Sequence, residues 1–369
     1  MALSKIQTKE NQVIPNLGRR NLMFNGAMQI AQRGTSFSYS AGQSADLLDR
    51  WQVAVGSSYN FDTTISQSTT TPSGEGFKYS LKVEMDAAIT PSGSENGGIF
   101  MKFEGQDFQR LAYGTPSAKS ITLSFWVRSN KTGTYCCQIQ TNQHDSTNSN
   151  KYFHIKEYTI SAANTWEKKT LTFTGLTAQT ITQTIGDGFR MIWWLSVGPD
   201  DKVATADTWT QSAGFLSTAN QVNFADSANN EWYLTGCQLE IGDQATDFEY
   251  LSFGEDLALC QRYFCGFTPD TSTGVTHAGL MNLNVRSTTS RYSVIHFPVP
   301  MRIRPTLSYS GSLNGYSGNG TYAVQALSMN GSTGHSAEIE STFNTSGTVG
   351  HGGWVRILAG AYVHFDAEL

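Results

Sequence analysis

At 369 residues the chain is long enough for two or three domains. Only 15% of residues are charged while 12% are aromatic, and Ser, Thr, Asn, Gln and 35 Gly supply the remaining polarity. That balance suits many short strands joined by polar turns, not long helices. The net charge of −5 gives no electrostatic footprint for nucleic acid, and no apolar run reaches membrane-spanning length.

Residues 1–20, MALSKIQTKENQVIPNLGRR, are polar, lack amphipathic periodicity and contain Pro15 and Gly18. They read as an extended arm that needs a partner to order it, with Lys5, Ile6, Val13, Ile14, Arg19 and Arg20 as candidate anchoring residues. The arm holds no apolar run, so no signal peptide is expected. The five cysteines, Cys136, Cys137, Cys237, Cys260 and Cys265, include no CxxC pair and read as buried free thiols. Cys136 and Cys137 are neighbours on a predicted strand and should face opposite sides.

From residue 21 strand signals recur at short intervals. Ile121, Leu123, Phe125 and Val127 alternate with Thr122, Ser124, Trp126 and Arg128, a two-residue period with one apolar face. Further strands are predicted at 77–85, 98–103, 134–141, 152–160, 167–173, 189–197 and 231–241. They are separated by turn sequences such as TPSGEG at 71–76, PSGSENGG at 91–98 and IGDG at 185–188. Many short strands without intervening helices predict an antiparallel sandwich wound as a jelly roll over residues 21–253.

One helix signal interrupts this pattern. Ser252 and Glu255 have capping-box spacing, and Leu257, Cys260, Gln261 and Phe264 follow at three and four residues. This predicts a short connecting helix over 254–265. Residues 266–369 read as a second, smaller β-sandwich. It takes in an alternating stretch at 293–299, an edge-like PVPMRIRP, a Gly-, Ser- and Asn-rich loop at 309–321, and a final hairpin about Gly360.

The segments GRRNLMFNGAMQIAQRGTS at 18–36 and DRW at 49–51 resemble the opening of virion and tail-fibre proteins of marine tailed phages. GCQLEIGDQATDFEY at 236–250 and GEDLALCQRYF at 254–264 resemble the close of the same module. The strand order between them, with TWEKKTLTFTG at 165–175, resembles galactose-binding-like jelly rolls, carbohydrate-binding modules among them. FPVPMRIRPTLS at 297–308 is similar to a segment that follows this module in such proteins. The resemblance implies a structural virion protein assembled in the host cytoplasm. It further implies a homotrimer whose arm contacts other virion proteins. Carbohydrate-binding jelly rolls often carry a Phe-Glu pair after the opening Asn-Gly, the Glu helping to hold calcium. Here Ala27, Met28 and Gln29 follow Asn25 and Gly26, which puts that metal in doubt, and no other cofactor is expected.

The seven histidines show no HxH or HExxH spacing, and no phosphate loop or nucleophile elbow is present. Asp200 and Asp201, or Glu338 and Glu340, are the carboxylate pairs nearest to a glycosidase signature, but adjacency in sequence does not place two acids across a cleft. Aromatic residues in polar loops are the better clue, because a sugar ring packs its C–H face on Trp or Tyr while neighbouring polar groups bind its hydroxyls. Trp209, Tyr309, Tyr316 and Tyr322 are therefore the candidate glycan-binding residues. The competing reading has Trp209 plugging the sandwich end and the tyrosines lining subunit contacts. The sequence thus points to a non-enzymatic tail-fibre or spike component that binds host-surface polysaccharide. A head-decoration or tail-assembly subunit and a glycan depolymerase are the alternatives.

Overall fold

The computed structural model describes residues 19–40, 45–56, 61–142, 151–202, 204–211, 216–270, 272, 274–317, 320–343 and 347–369. Lys5, Ile6, Val13 and Ile14 lie outside the described residues. The predicted alternation becomes a series of antiparallel strands: β1 (Ser36–Tyr39), β2 (Ala45–Asp46), β3 (Trp51–Val55), β4 (Thr63–Ser68), β5 (Ser80–Met85), β6 (Asn96–Glu104) and β7 (Ile121–Ser129). The series continues with β8 (Gly133–Thr141), β9 (Phe153–Ile160), β10 (Glu167–Phe173), β11 (Asp187–Val197), β12 (Trp209–Thr210) and β13 (Glu231–Ile241). One sheet has the order β1-β4-β5-β13-β7-β10 and the other β12-β9-β8-β11-β6-β3-β2. The chain crosses between sheets at β1–β2, β3–β4, β5–β6, β6–β7, β7–β8, β9–β10, β10–β11 and β12–β13, which is jelly-roll winding.

Ile121, Leu123, Phe125 and Val127 point inward from β7 and pack in the main core with Trp51, Met101, Ile139, Phe189 and Trp193. Burying side chains of this size stabilises the fold by about 1.5–3 kcal/mol each before entropy is counted. Strand alternation sends Cys137 into this core and Cys136 to the opposite face. There Cys136 packs with Phe100, Ile155, Ile192, Trp194 and Leu216, so the second sheet is apolar on both faces. All five cysteines are free and buried.

The helix α1 (Phe253–Gln261) starts where the capping box places it: the Glu255 N–H donates to Ser252 Oγ at 3.3 Å, and the Ser252 N–H donates to Glu255 at 2.9 Å. Beyond it come β14 (Phe264–Phe267), β15 (His277–Val285), β16 (Ser290–His296), β17 (Thr306–Ser310), β18 (Leu313–Ser317), β19 (Gly320–Ser332), β20 (Ser336–Phe343), β21 (Gly352–Leu358) and β22 (Tyr362–Asp366).

The molecule is all-β on both sides of the helix, and the C-terminal strands go further than a second sandwich. Six of them close into a barrel, β15-β16-β20-β19-β18-β21, and β14-β22-β17 form a separate three-stranded sheet. Closure depends on β15 pairing with β21, a contact between segments far apart in sequence, and it removes exposed edges. The expected hairpin about Gly360 is absent for the same reason. The chain does turn there, with Gly360 at φ 78°, but β21 pairs with β15 and β18 while β22 pairs with β14 and β17. Leu283, Leu313, Ile339, Val355 and Ile357 fill the barrel.

The two units meet at a network of guanidinium groups. Arg50, 2% exposed, bonds Glu368 and the Lys102 carbonyl, and stacks 3.5 Å from the Tyr263 ring centroid. Arg33 reaches Asp366 at 3.0 Å and Glu368 at 3.5 Å. Arg262 and Tyr263 donate to buried Glu104 at 2.7–2.9 Å. Burial pushes the Glu104 carboxyl up, but these donors outweigh it and hold its pKa below the usual range. Removing one member of a buried ion pair leaves the other desolvated and unpaired. Arg50→Met and Glu368→Ala are each expected to lower unfolding stability by about 3 kcal/mol. Lys131→Ala, which removes an exposed pair with Asp226, should cost less than about 1 kcal/mol. Urea midpoints for the three variants check this ordering.

Candidate functional site

The described residues of the segments 18–36, 49–51, 236–250 and 254–264 come together in space. Asn25, at φ 51°, donates from Nδ2 to the Ile30 and Asp49 carbonyls at 2.8 and 3.0 Å, and its N–H donates to Asp256 at 2.9 Å. Gly26 is required because a Cβ there would run into the Cys237 carbonyl of β13. Trp51 Nε1 donates to the Asn25 carbonyl at 3.1 Å, and Gln32 bonds both Asp49 and the Phe264 carbonyl. The Arg20 N–H donates to Glu249, and its guanidinium donates to Thr246 and the Asp247 carbonyl. Arg19 lies 4.2 Å from the Phe24 ring centroid. Both arginines are thus held on the sandwich. The polar atoms of Asn25, Gln32, Asp49, Glu249 and Asp256 are engaged in joining chain segments. Among the described residues no group of three or more His, Cys, Asp or Glu is placed to hold a metal ion.

The four aromatic candidates do not form one site. Trp209 lies on the short edge strand β12, opposite His154 of β9. Its Nε1 donates to the Thr174 carbonyl at 2.9 Å, and its ring meets His154 and Tyr113 edge-on at 5.1 and 6.0 Å. It closes one end of the sandwich. Tyr322 packs against the barrel core, with the Arg291 guanidinium 5.7 Å from its ring. Tyr309 is half-exposed on β17, in the three-stranded sheet, paired with Val363. Tyr309, Tyr316 and Tyr322, expected in loops, all sit in strands.

Tyr316 has a partner that sequence reading missed. On β21 the alternation puts Val355 and Ile357 inside the barrel and Trp354 and Arg356 outside. Trp354 is 45% exposed and lies directly across from Tyr316 of β18. The two rings stack at 5.4 Å with an interplanar angle of 13°. Asn282 of β15 is the neighbour of Trp354 on its other side, and Asn314 of β18 is the neighbour of Arg356. The Arg356 guanidinium lies 4.4 Å from the Tyr316 centroid and 5.7 Å from that of Trp354.

A hollow of about 580 Å³ opens beside this pair, lined by His277, Leu280, Met281, Asn282, Trp354 and Arg356 with Gly279 and Val355. Its origin is local. The β15–β21 register shifts between Gly279 and Met281, and Gly279, opposite Arg356, projects no side chain into open space. The arrangement offers two flat rings, a side-chain amide, an imidazole and a guanidinium on a rigid wall.

The hollow has no acidic lining residue. A smaller cavity near residue 25 is lined by Glu249 and Asp256, but Glu249 accepts from the Arg20 and Asn21 backbone, and Asp256 from Asn25 and Gln29. Asp201 is buried in a 3-10 turn, and its backbone carbonyl accepts from Leu216 and Ser217. Glu338 and Glu340 share the outer face of β20, with Glu340 bonded to Asn330.

No family model and no curated protein matches the chain. Among solved structures, the enzymatically active domain of bacteriophage CBA120 tailspike protein 4 is 10% identical with a TM-score of 0.31. The alignment covers 60% of this chain and 21% of that one, so the chain spans about a fifth of the tailspike. The CBM22-2 xylan-binding domain of Paenibacillus barcinonensis Xyn10C is 13% identical, TM-score 0.30, over 56% of this chain and 98% of that domain. The family 11 carbohydrate-binding module of Clostridium thermocellum, solved with a mixed-linked tetrasaccharide, is 10% identical, TM-score 0.29, over 57% and 98%. At these scores the likenesses assign this chain no function, and its fold rests on its own sheet order and register.

Two measurements follow from these placements. Trp209→Ala should destabilise the sandwich by about 2 kcal/mol, less than a fully buried tryptophan would cost, and leave ligand binding unchanged. Thermal melting and a glycan-binding assay on the same variant check both halves. The second concerns pH. Burial, with Lys156 adding to it, pushes His154 down to about 4, and burial with Arg33 does the same for His364. A depressed folded-state pKa means the unfolded chain takes up protons first, so this stability is complete above pH 6.5 and is lost towards pH 4. The melting temperature should be level above pH 6.5 and fall below it, and His154→Phe should reduce that fall.

Proposed function

We propose that this protein is a non-cleaving, glycan-binding component of a phage virion, a tail-fibre or spike subunit. The observation that carries the binding role is the Tyr316–Trp354 stack, whose exposed indole lines the hollow with Asn282, His277 and Arg356. Stacked aromatic faces take the C–H face of a sugar, and amide and guanidinium groups take its hydroxyls. The hollow supplies no carboxylate, which supports binding without cleavage. The virion role is supported by the sequence likeness at 18–36, 49–51 and 236–264. In this reading the residues before Arg19 and Arg20, the two that are held on the sandwich, attach the subunit to other virion proteins during assembly in the host cytoplasm. The subunit is a homotrimer: one platform contributes on the order of 1 kcal/mol per stacking contact, and repeated copies raise that weak binding to useful avidity.

Trp354→Ala and Tyr316→Ala are expected to weaken binding to host polysaccharide and particle adsorption at least tenfold, with unchanged melting and assembly. Gly279→Val, which fills the hollow on a strand that tolerates a β-branched residue, should do the same. Adsorption assays on mutant particles, with a reducing-sugar assay on isolated host polysaccharide, check this. Unaltered adsorption in all three variants contradicts the binding site, and sugar release contradicts the non-cleaving role.

A further inference from the structure

We propose that the hollow selects anionic polysaccharide, taking a carboxylate or sulfate ester on the Arg356 guanidinium while the sugar ring lies on Trp354. This rests on the glycan-binding reading and narrows it to a substrate class. Arg356 is held against two aromatic rings, and among the described residues no carboxylate pairs with it and no protein acceptor takes its N–H donors. By contrast Arg33, Arg50 and Arg262 close on carboxylates, and Arg291, whose guanidinium also lacks a hydrogen-bond partner, is 1% exposed and out of reach of a ligand.

Stacking holds the guanidinium on the rings and leaves its N–H edge for an acceptor that presents two oxygens, as a carboxylate or a sulfate ester does. His277 and Asn282 stand on the same wall and supply further polar contacts. The absence of acid from this lining, on a chain with net charge −5, removes the repulsion that an anionic sugar would otherwise meet. A neutral glycan makes the stacking contacts but leaves the guanidinium without an anionic partner.

The test uses the full-length protein and matched polysaccharides in biolayer interferometry: alginate against carboxyl-reduced alginate, and a sulfated galactan against its desulfated form. The expected result is at least about tenfold tighter binding to one or both anionic members, as a charge-assisted hydrogen bond supplies. Alginate and the sulfated galactan separate carboxylate from sulfate as the source of the anion. The preference should shrink between low and high salt. Arg356→Gln should bring each anionic member down to the binding of its neutral match, and Arg356→Lys should restore part of the preference. Equal binding of each matched pair, or a preference that survives Arg356→Gln, overturns the inference and leaves the glycan-binding reading standing. No binding to any of the four polymers overturns both.

Discussion

The arrangement of the whole molecule turns on the buried guanidinium of Arg50. It bonds Glu368 at one end of the chain and the Lys102 carbonyl in β6, and it stacks on Tyr263 just after the helix. Its neighbours in sequence complete the junction: Asp49 takes Gln32, and Trp51 reaches the Asn25 carbonyl. A planar, permanently charged group with donors on a fixed fork suits this place better than an ammonium would. Residues from the segments 18–36, 49–51 and 254–264 thus meet at one junction although they lie far apart in sequence.

A firmly seated barrel matters for the binding proposal. Weak, stacking-based recognition loses little entropy when the rings are already held, and Tyr316 and Trp354 are fixed by strand register instead of loop conformation. The barrel has no open edge among its six strands, so its exposed aromatics lie on a closed wall and do not invite strand addition. The hollow itself comes from one bulge and one missing side chain at Gly279, a small departure from regular pairing that leaves the fold around it undisturbed.

Much of the sandwich was legible in the sequence because its signals are local. The two-residue period of Ile121–Val127, the capping box of Ser252 and Glu255, and the opposed faces of Cys136 and Cys137 are each set by neighbours in the chain. The barrel was not legible, because β15–β21 pairing joins distant segments whose local patterns suit a sandwich equally well. The site suffered in the same way. Tyr316 was visible as an aromatic in a polar stretch, but its partner Trp354 lay in what read as a final hairpin. The alternation of Trp354, Val355, Arg356 and Ile357 did carry the missing signal, since it places an indole and a guanidinium together on one outward face. A polar surrounding sequence does not by itself reveal that the Trp209 ring packs on His154 and Tyr113.

The central claim is that sugar meets this protein at Trp354. Fluorine NMR of the protein labelled with 5-fluorotryptophan, each signal assigned by single Trp→Phe replacement, tests it residue by residue. On titration with oligosaccharide from host polysaccharide, the Trp354 resonance should shift in proportion to occupancy while those of buried Trp51, Trp193 and Trp232 and of Trp209 stay in place. A shift at Trp209 with Trp354 unmoved would contradict the account.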